Sequence, residues 1–400
     1  MDNLKPQAGK FAQLGPLSLS EKLAADTSET HTALSYSEQI PADLFTELLL
    51  SSTPLIDVRA ECEYHDGHIP HSANLPLLTD DERKKVGTCY KRKGQEAAIT
   101  LGTELVSGDA KKERMTAWIR FIADNPTAVI LCFRGGLRSQ TVQKWLAESG
   151  LQRPLIRGGY KALRRHLLHT TIRVASEKKI IIVAGKTGTG KTHLINNLTR
   201  SVDLEGLANH RGSAFGRRVS AQPSQTVFEN LLALDLLRQE REGGATLFLE
   251  DESRAIGSIS LPLELHRAMS VAPIVRVEES LDFRIETILN DYIVSNLTDF
   301  RRLDPMQGDS LFSESLLASL DRIKKRLGGE RHSALRDIMS AALTSNNDHD
   351  QHRAWIRGLL VDYYDPMYEY QMTKKAQRVV FKGDSDTFLE WASEFDQLQT

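Results

Sequence analysis

Twice in this chain an apolar, strand-like run stops at a glycine-rich loop that opens a helix. The first is T-A-V-I-L-C-F-R-G-G-L-R-S at Thr127–Ser139, the second K-I-I-I-V-A-G-K-T-G-T-G-K-T at Lys179–Thr192. Such runs suit strands buried on both faces, which occur in parallel sheets covered by helices. The surrounding pattern agrees. Helices are expected over Pro41–Leu50, Lys111–Ala123, Ser139–Glu148, Tyr160 to about Arg173, and Lys191 to about Thr199, with Ser139 as a cap. Strands are expected over Pro54–Val58, Thr127–Cys132, Pro154–Ile156, Lys179–Ala184, Ala245–Glu250 and Pro273–Val277. After Leu281 the pattern is mainly helical, with one more strand at Arg378–Phe381. At 400 residues the chain exceeds one ordinary core. The fold class is α/β: an N-terminal parallel-sheet domain over 39–174, then a second α/β domain over 175–400 with a largely helical C-terminal part. Residues 1–38 are polar, weakly periodic, and read as an extension.

The first loop surrounds a thiol. Cys132 ends a strand just before a helix N-terminus, the edge of a parallel sheet where ligands bind. Backbone N–H groups, the helix dipole, Arg134 and Arg138 all favour negative charge there. Gly135 and Gly136 allow the backbone angles that such a cradle needs. The spacing C-x5-R-S, from Cys132 to Arg138 and Ser139, is also that of phosphatase loops around a tetrahedral phosphate. Sulfur-carrying rhodanese loops usually run one residue shorter. The flanks favour a rhodanese domain: L-I-D-V-R-A-E-C-E-Y-H-D-G-H-I-P-H-S-A-N-L-P at Leu55–Pro76 and I-R-G-G-Y-K-A-L-R at Ile156–Arg164 are similar to its two signatures. The enlarged loop then suits a ligand shaped like phosphate.

The second loop has the form G-x4-G-K-T, a P-loop, with a strand before it and a helix after it. Gly185, Thr187, Gly188 and Gly190 shape a cradle of N–H groups for phosphate oxygens; Lys191 neutralises them, and Thr192 offers a hydroxyl to Mg²⁺. Glu250 and Asp251 end an apolar strand and stand as a second acidic motif, with Asp251 as a possible Mg²⁺ partner of Thr192. N-H-R-G-S-A-F-G at Asn209–Gly216 contributes His210, Arg211 and Ser213 as candidate substrate contacts. Cys89 lies in G-T-C-Y-K-R-K-G, read as a basic loop; Cys62 is read as a packing residue; Y-Y-D-P-M-Y at Tyr363–Tyr368 is read as an aromatic turn. Three cysteines without a C-x-x-C pair indicate neither a disulfide framework nor a structural metal.

The order of these motifs, from the rhodanese signature through C-x-R-G-G-x-R-S, G-x-T-G-x-G-K-T, H-R-G-S-A-F-G and L-E-D-E-S-R to Y-Y-D-P-M-Y, resembles the bacterial tRNA 2-selenouridine synthase family. The resemblance covers residues from about 40 to about 385. It implies a rhodanese-like domain followed by a P-loop NTPase-like domain. It also implies a selenotransferase with geranyltransferase activity on wobble 2-thiouridine of tRNA, with Lys, Glu and Gln acceptors. Geranyl diphosphate and selenophosphate would be the co-substrates, and a selenophosphate-supplying enzyme a partner. Cys132 would carry selenium as an S-selanyl adduct while Arg134 and Arg138 hold the oxyanion. Two enzyme alternatives remain: an ATP-dependent tRNA sulfurtransferase and a rhodanese/phosphatase-like P-loop fusion. A formal charge of -2 gives no global sign of nucleic-acid binding, so RNA would have to meet local clusters at Lys91–Lys93, Arg217–Arg218 and Lys324–Arg326. With no apolar run of roughly 18–20 residues and no signal layout, a cytoplasmic location without membrane contact is expected.

Overall fold

The two apolar runs become the central strands of two all-parallel sheets. In the computed structural model, residues 38–345 and 347–397 are described; the extension expected over 1–38 lies outside them apart from Glu38. The first sheet holds β1 (Gln39–Ile40), β2 (Leu55–Asp57), β3 (Ser72–Asn74), β4 (Val129–Leu131) and β5 (Leu155–Ile156) in the order β1-β5-β4-β2-β3. The second holds β6 (Lys179–Gly185), β7 (Ser201–Val202), β8 (Thr246–Glu250), β11 (Ile274–Val277) and β12 (Val379–Gly383) in the order β12-β11-β6-β8-β7. A small antiparallel pair, β9 (Ala255–Ile256) and β10 (Ile259–Ser260), follows β8. Val129, Ile130 and Leu131 are fully buried, as are Ile181, Ile182, Val183 and their neighbours, because helices cover both faces. Among the described residues no helix is long and apolar enough to cross a membrane.

Two stretches differ from their expected form. The basic segment around Cys89 is helical, within a helix spanning Asp80–Leu105, where Thr79 and Glu82 form a capping box. Only Gly94 departs, at φ 84°, and breaks the helix at the end of the basic segment. Tyr363–Tyr368 is also helical: a π segment, Leu360–Tyr364, runs straight into the helix Asp365–Lys375, whose first turn accommodates Pro366. Cys62 is exposed, against its expected packing role.

The two sheets share a seam. The helix Gly159–Glu177 leaves the first sheet and packs along the helix Gln225–Arg241 of the second. Ala233, Leu234 and Leu237 join the core that includes Ile40, Leu55, Val129 and Leu163. Polar groups lock this apolar contact. Arg164 donates to Asn230 Oδ1 at 2.9 Å and pairs with Glu229, while Asn230 Nδ2 donates to the His68 carbonyl at 2.6 Å. Asn230→Ala would strip the His68 carbonyl and Arg164 of a buried partner. It should cost about 1–3 kcal/mol, read as a lower urea midpoint with an unchanged slope.

Candidate active site

Cys132 follows β4 and is only 2% exposed. Its Sγ lies 3.1 Å from Ser139 Oγ, which in turn donates to the Gly136 carbonyl at 3.0 Å. Ser139 is therefore a partner of the thiol, not the cap of its helix. That helix begins two residues earlier, at Leu137 behind Gly136, because Gly135 at φ 65° has already turned the chain. The second signature segment holds the loop from beneath. Tyr160 and Lys161 N–H groups donate to the Cys132 and Phe133 carbonyls at 2.8 and 3.0 Å. Gly159, at φ 60°, sits so close that a Cβ would fall 2.2 Å from the Cys132 carbonyl oxygen.

Arg138 and Arg134 part company. Arg138 forms a two-pronged pair with Glu63 at 2.6 and 3.1 Å, and Arg83 reaches the same carboxylate at 2.9 Å. Arg134 is exposed at the loop rim, 5.7 Å from the Phe133 ring centroid. Below the loop, Arg59 is buried against Asp57 at 2.7 Å, stacks over Tyr160 and donates to the Gly67 carbonyl. These are the D-V-R, G-H-I-P and R-G-G-Y positions of the two flanking signatures, so their text encodes a single buried scaffold.

In the P-loop, Gly188 and Gly190 have φ of 87° and 72°. The Lys191 ammonium donates to the Gly185 carbonyl at 2.9 Å, which holds it over its own loop. Thr192 Oγ1 donates to Glu250 at 3.0 Å and lies 3.2 Å from Glu205. Glu250 is thus the acidic partner of the P-loop hydroxyl. Asp251, the expected Mg²⁺ partner, instead pairs with Lys375 at 2.7 Å, because the next residue of a strand points the opposite way.

Glu205, Glu250 and Glu252 form a carboxylate group, with Glu250 buried and the other two half-buried, that sequence reasoning did not assemble. Burial first, then mutual repulsion and Asp203, push Glu205 and Glu250 well above the usual carboxylate range. Burial and Glu250 raise Glu252 to about 7. Gly212 closes over them at φ 60°, where a Cβ would lie 2.2 Å from Glu205 Oε1. Among the described residues no three His, Cys, Asp or Glu side chains are arranged to hold a metal by themselves. A Mg²⁺ held mainly by phosphate and water needs only one or two protein oxygens, and Thr192 and Glu250 fit that role.

His210, Arg211 and Ser213 lie in the folded Asn209–Gly216 loop. Arg211 donates to Asn296 at 2.6 Å and lies over Tyr292, and Ser213 Oγ donates to the Tyr292 hydroxyl at 3.4 Å. His210 is 6% exposed, and its Nδ1 has no hydrogen-bond partner. Arg284 was not foreseen. Only 3% exposed, it donates to the Thr187 carbonyl at 2.8 Å and grips Asp365 at 2.9 and 2.5 Å. Asp365 belongs to Y-Y-D-P-M-Y, so that motif braces the P-loop through Arg284.

A thiol loop of rhodanese type joined to a P-loop with a carboxylate neighbour is the layout of a two-part α/β group-transfer protein. Comparison with known proteins narrows this. The family model for a rhodanese-like domain matches residues 42–166, and that for the tRNA 2-selenouridine synthase AAA domain matches residues 178–398. A tRNA 2-selenouridine synthase of Pseudomonas syringae pv. syringae is 50% identical over 88% of this chain and 97% of its own length. One from Shewanella frigidimarina is 48% identical over 89% of this chain and 98% of its own, and one from Marinobacter nauticus 46% over 88% and 96%. The chain belongs to the tRNA 2-selenouridine synthase family.

The Glu63 pairs give a pH signature. Burial alone would raise this carboxyl, but the Arg138 and Arg83 guanidiniums outweigh it and hold it below the usual range. With the folded value below the unfolded one, the stabilisation is complete above about pH 4.3 and is lost as pH falls through the lower folded value. Glu63→Gln should therefore lower the thermal midpoint at pH 7. The gap to wild type should close below about pH 4, as measured by circular dichroism melts.

Proposed function

We propose that this chain makes 2-selenouridine in tRNA by two successive substitutions on wobble 2-thiouridine. The observation that carries the reading is the presence of two glycine-rich strand–loop–helix turns in one compact unit, Ser35–Thr400. One is built around Cys132 with phosphatase-like spacing; the other is a P-loop beside Glu250. The rhodanese-like part would extend over 39–174 and the P-loop part over 175–400.

In the first step the 2-thio sulfur attacks C1 of geranyl diphosphate. A C–S bond forms as the C–O bond breaks, and diphosphate leaves with the electron pair. Lys191 and the loop N–H groups of 187–191 hold that leaving charge, which is electrostatic catalysis by prearranged donors. Mg²⁺, bound through Thr192 and Glu250, would add Lewis-acid stabilisation of the same oxygens. In the second step selenium from selenophosphate bonds to C2 of the uridine and geranylthiolate leaves. Water then cleaves the P–Se bond and releases phosphate, so no oxidant is required. Arg134 and the N–H groups of the cysteine loop would hold the phosphoryl oxygens, with Arg138 anchoring the loop through Glu63.

A second reading gives Cys132 the selenium itself, as an S-selanyl adduct. The Ser139 hydroxyl 3.1 Å away supports it: turned from the Gly136 carbonyl, its one proton would be donated to a thiolate. Selenium in the adduct stands two electrons above selenide, so loading requires a mixed disulfide on Cys132 as oxidant. Selenium of selenophosphate attacks the Cys132 sulfur, the small thiol leaves with the electron pair, water cleaves the P–Se bond, and a second thiol later frees the selenol. A mass increase of one selenium on the Cys132 peptide identifies it. The partner enzyme would be whatever supplies selenophosphate, and the acceptors would be the tRNAs for Lys, Glu and Gln.

The two sites should be separable. If Cys132 carries the selenium, Cys132→Ser should accumulate S-geranyl-2-thiouridine and make no 2-selenouridine; if selenophosphate attacks C2 directly, the variant should still make it. Lys191→Ala should leave 2-thiouridine unalkylated yet still convert supplied geranylated tRNA. Mass analysis of the wobble nucleoside reads both, and an equal block of geranylation in both variants would refute the division. Vigorous tRNA-stimulated ATP hydrolysis would favour an ATP-dependent tRNA sulfurtransferase or a rhodanese/phosphatase-like P-loop fusion.

Binding of RNA should depend on local charge. Lys91, Arg92 and Lys93 are exposed on their helix, as are Arg217 and Lys324–Arg326. Affinity for tRNA should fall steeply between about 50 and 200 mM salt. Charge reversal of the three clusters should flatten that dependence in filter-binding titrations.

A further inference from the structure

Beside the cysteine loop lies a cavity of ≈ 1040 Å³ that neither a uridine nor a phosphate-sized anion explains. Its roof is the helix Asp80–Leu105, which contributes Val86, Tyr90, Ala98 and Ile99; Trp145 forms part of the wall. The cysteine loop itself contributes Phe133 and Leu137. Four of these side chains are large, apolar and unusually open: Leu137 is 51% exposed, Phe133 36%, Tyr90 58% and Ile99 44%. Of the charged lining groups, Glu63, Arg83 and Arg138 are paired with one another and Arg59 with Asp57, while Arg134 and Asp66 are exposed.

Mostly apolar concavities of this size are what elongated hydrophobic ligands occupy. A nucleobase would need partners for its edge atoms, and selenophosphate would gain nothing from Ile99 or Leu137. The apolar cavity that touches Thr187 of the P-loop is far smaller, at ≈ 20 Å³. We infer that the cavity under the Asp80–Leu105 helix seats the isoprenoid tail of the tRNA thioether while its sulfur is displaced at the cysteine loop. The tail is thereby the handle by which the second step recognises its substrate. The inference rests on the two-step reading given above.

The roof offers a clean test. Gly87 and Gly102 line the cavity from within the helix. A Cβ at Gly87 would meet nothing within 4 Å, and one at Gly102 only Val86, at 3.8 Å. Gly87→Leu and Gly102→Leu therefore place their first side-chain carbon without collision at positions that line the cavity, and both favour the helix.

The full chain would be supplied with selenophosphate and an anticodon stem-loop carrying either S-geranyl- or S-methyl-2-thiouridine. Wild type should prefer the geranyl thioether by at least about tenfold in kcat/KM. Either leucine variant should reduce that preference at least about tenfold through KM for the geranyl substrate. Melting curves would confirm that the variants are folded. Equal use of both thioethers by wild type, or an unaltered preference in both folded variants, overturns the inference alone. Turnover of neither thioether overturns the two-step reading and this inference with it.

Discussion

Much of the molecule depends on how the helix Gly159–Glu177 lies against the helix Gln225–Arg241. The first begins under the cysteine loop and ends at the strand that feeds the P-loop. Its partner puts Asn230 on the His68 carbonyl and Thr226 against Gly67, where any Cβ would fall 2.3 Å from the Thr226 methyl. The seam is apolar in bulk, so burial supplies its strength. The Arg164, Glu229 and Asn230 contacts supply its register, since a one-residue slip would leave buried polar groups unpaired.

Within that frame each cradle is stiffened from outside its own motif. The cysteine loop leans on Gly159 and on the Glu63 carboxylate; the P-loop leans on Arg284 and Asp365. A cradle fixed in advance spends less binding energy on ordering itself and keeps its donors aimed where charge will appear. The carboxylate group beneath the P-loop works in the opposite sense. Glu205, Glu250 and Glu252 are costly to ionise together, and a cation or a proton relieves them. The P-loop therefore combines a lysine for the phosphate with an acid store that favours a positive charge beside it.

The strands and both loops were legible because their signals are local: apolar runs, glycine spacing, and a loop between strand and helix. What escaped depended on distance. The helix Asp80–Leu105 was hidden by G-T-C-Y-K-R-K-G, whose glycines and charges suggest a loop; the capping box at Thr79 and Glu82 was the overlooked sign. β1 is two residues long and exists only because β5 is there to pair with it. Arg284 carries no motif of its own, and its role emerges only when Thr187 and Asp365 converge on it. Asp251 and Glu250 were both visible as strand-end acids, but only the strand's alternation in three dimensions decided which faces Thr192. Arg138 was readable as a loop cation, whereas its pairing with Glu63, 75 residues away, was not.

The close fit of Gly159 beneath Cys132 also sets the order in which the reactive loop can mature during synthesis. Until Arg157–Gly159 have left the ribosome, the loop lacks the floor that shapes it. The helix that begins there buries its far face against residues 225–241, which are made later still. The final shape of the cysteine loop is therefore set by chain that is translated after it.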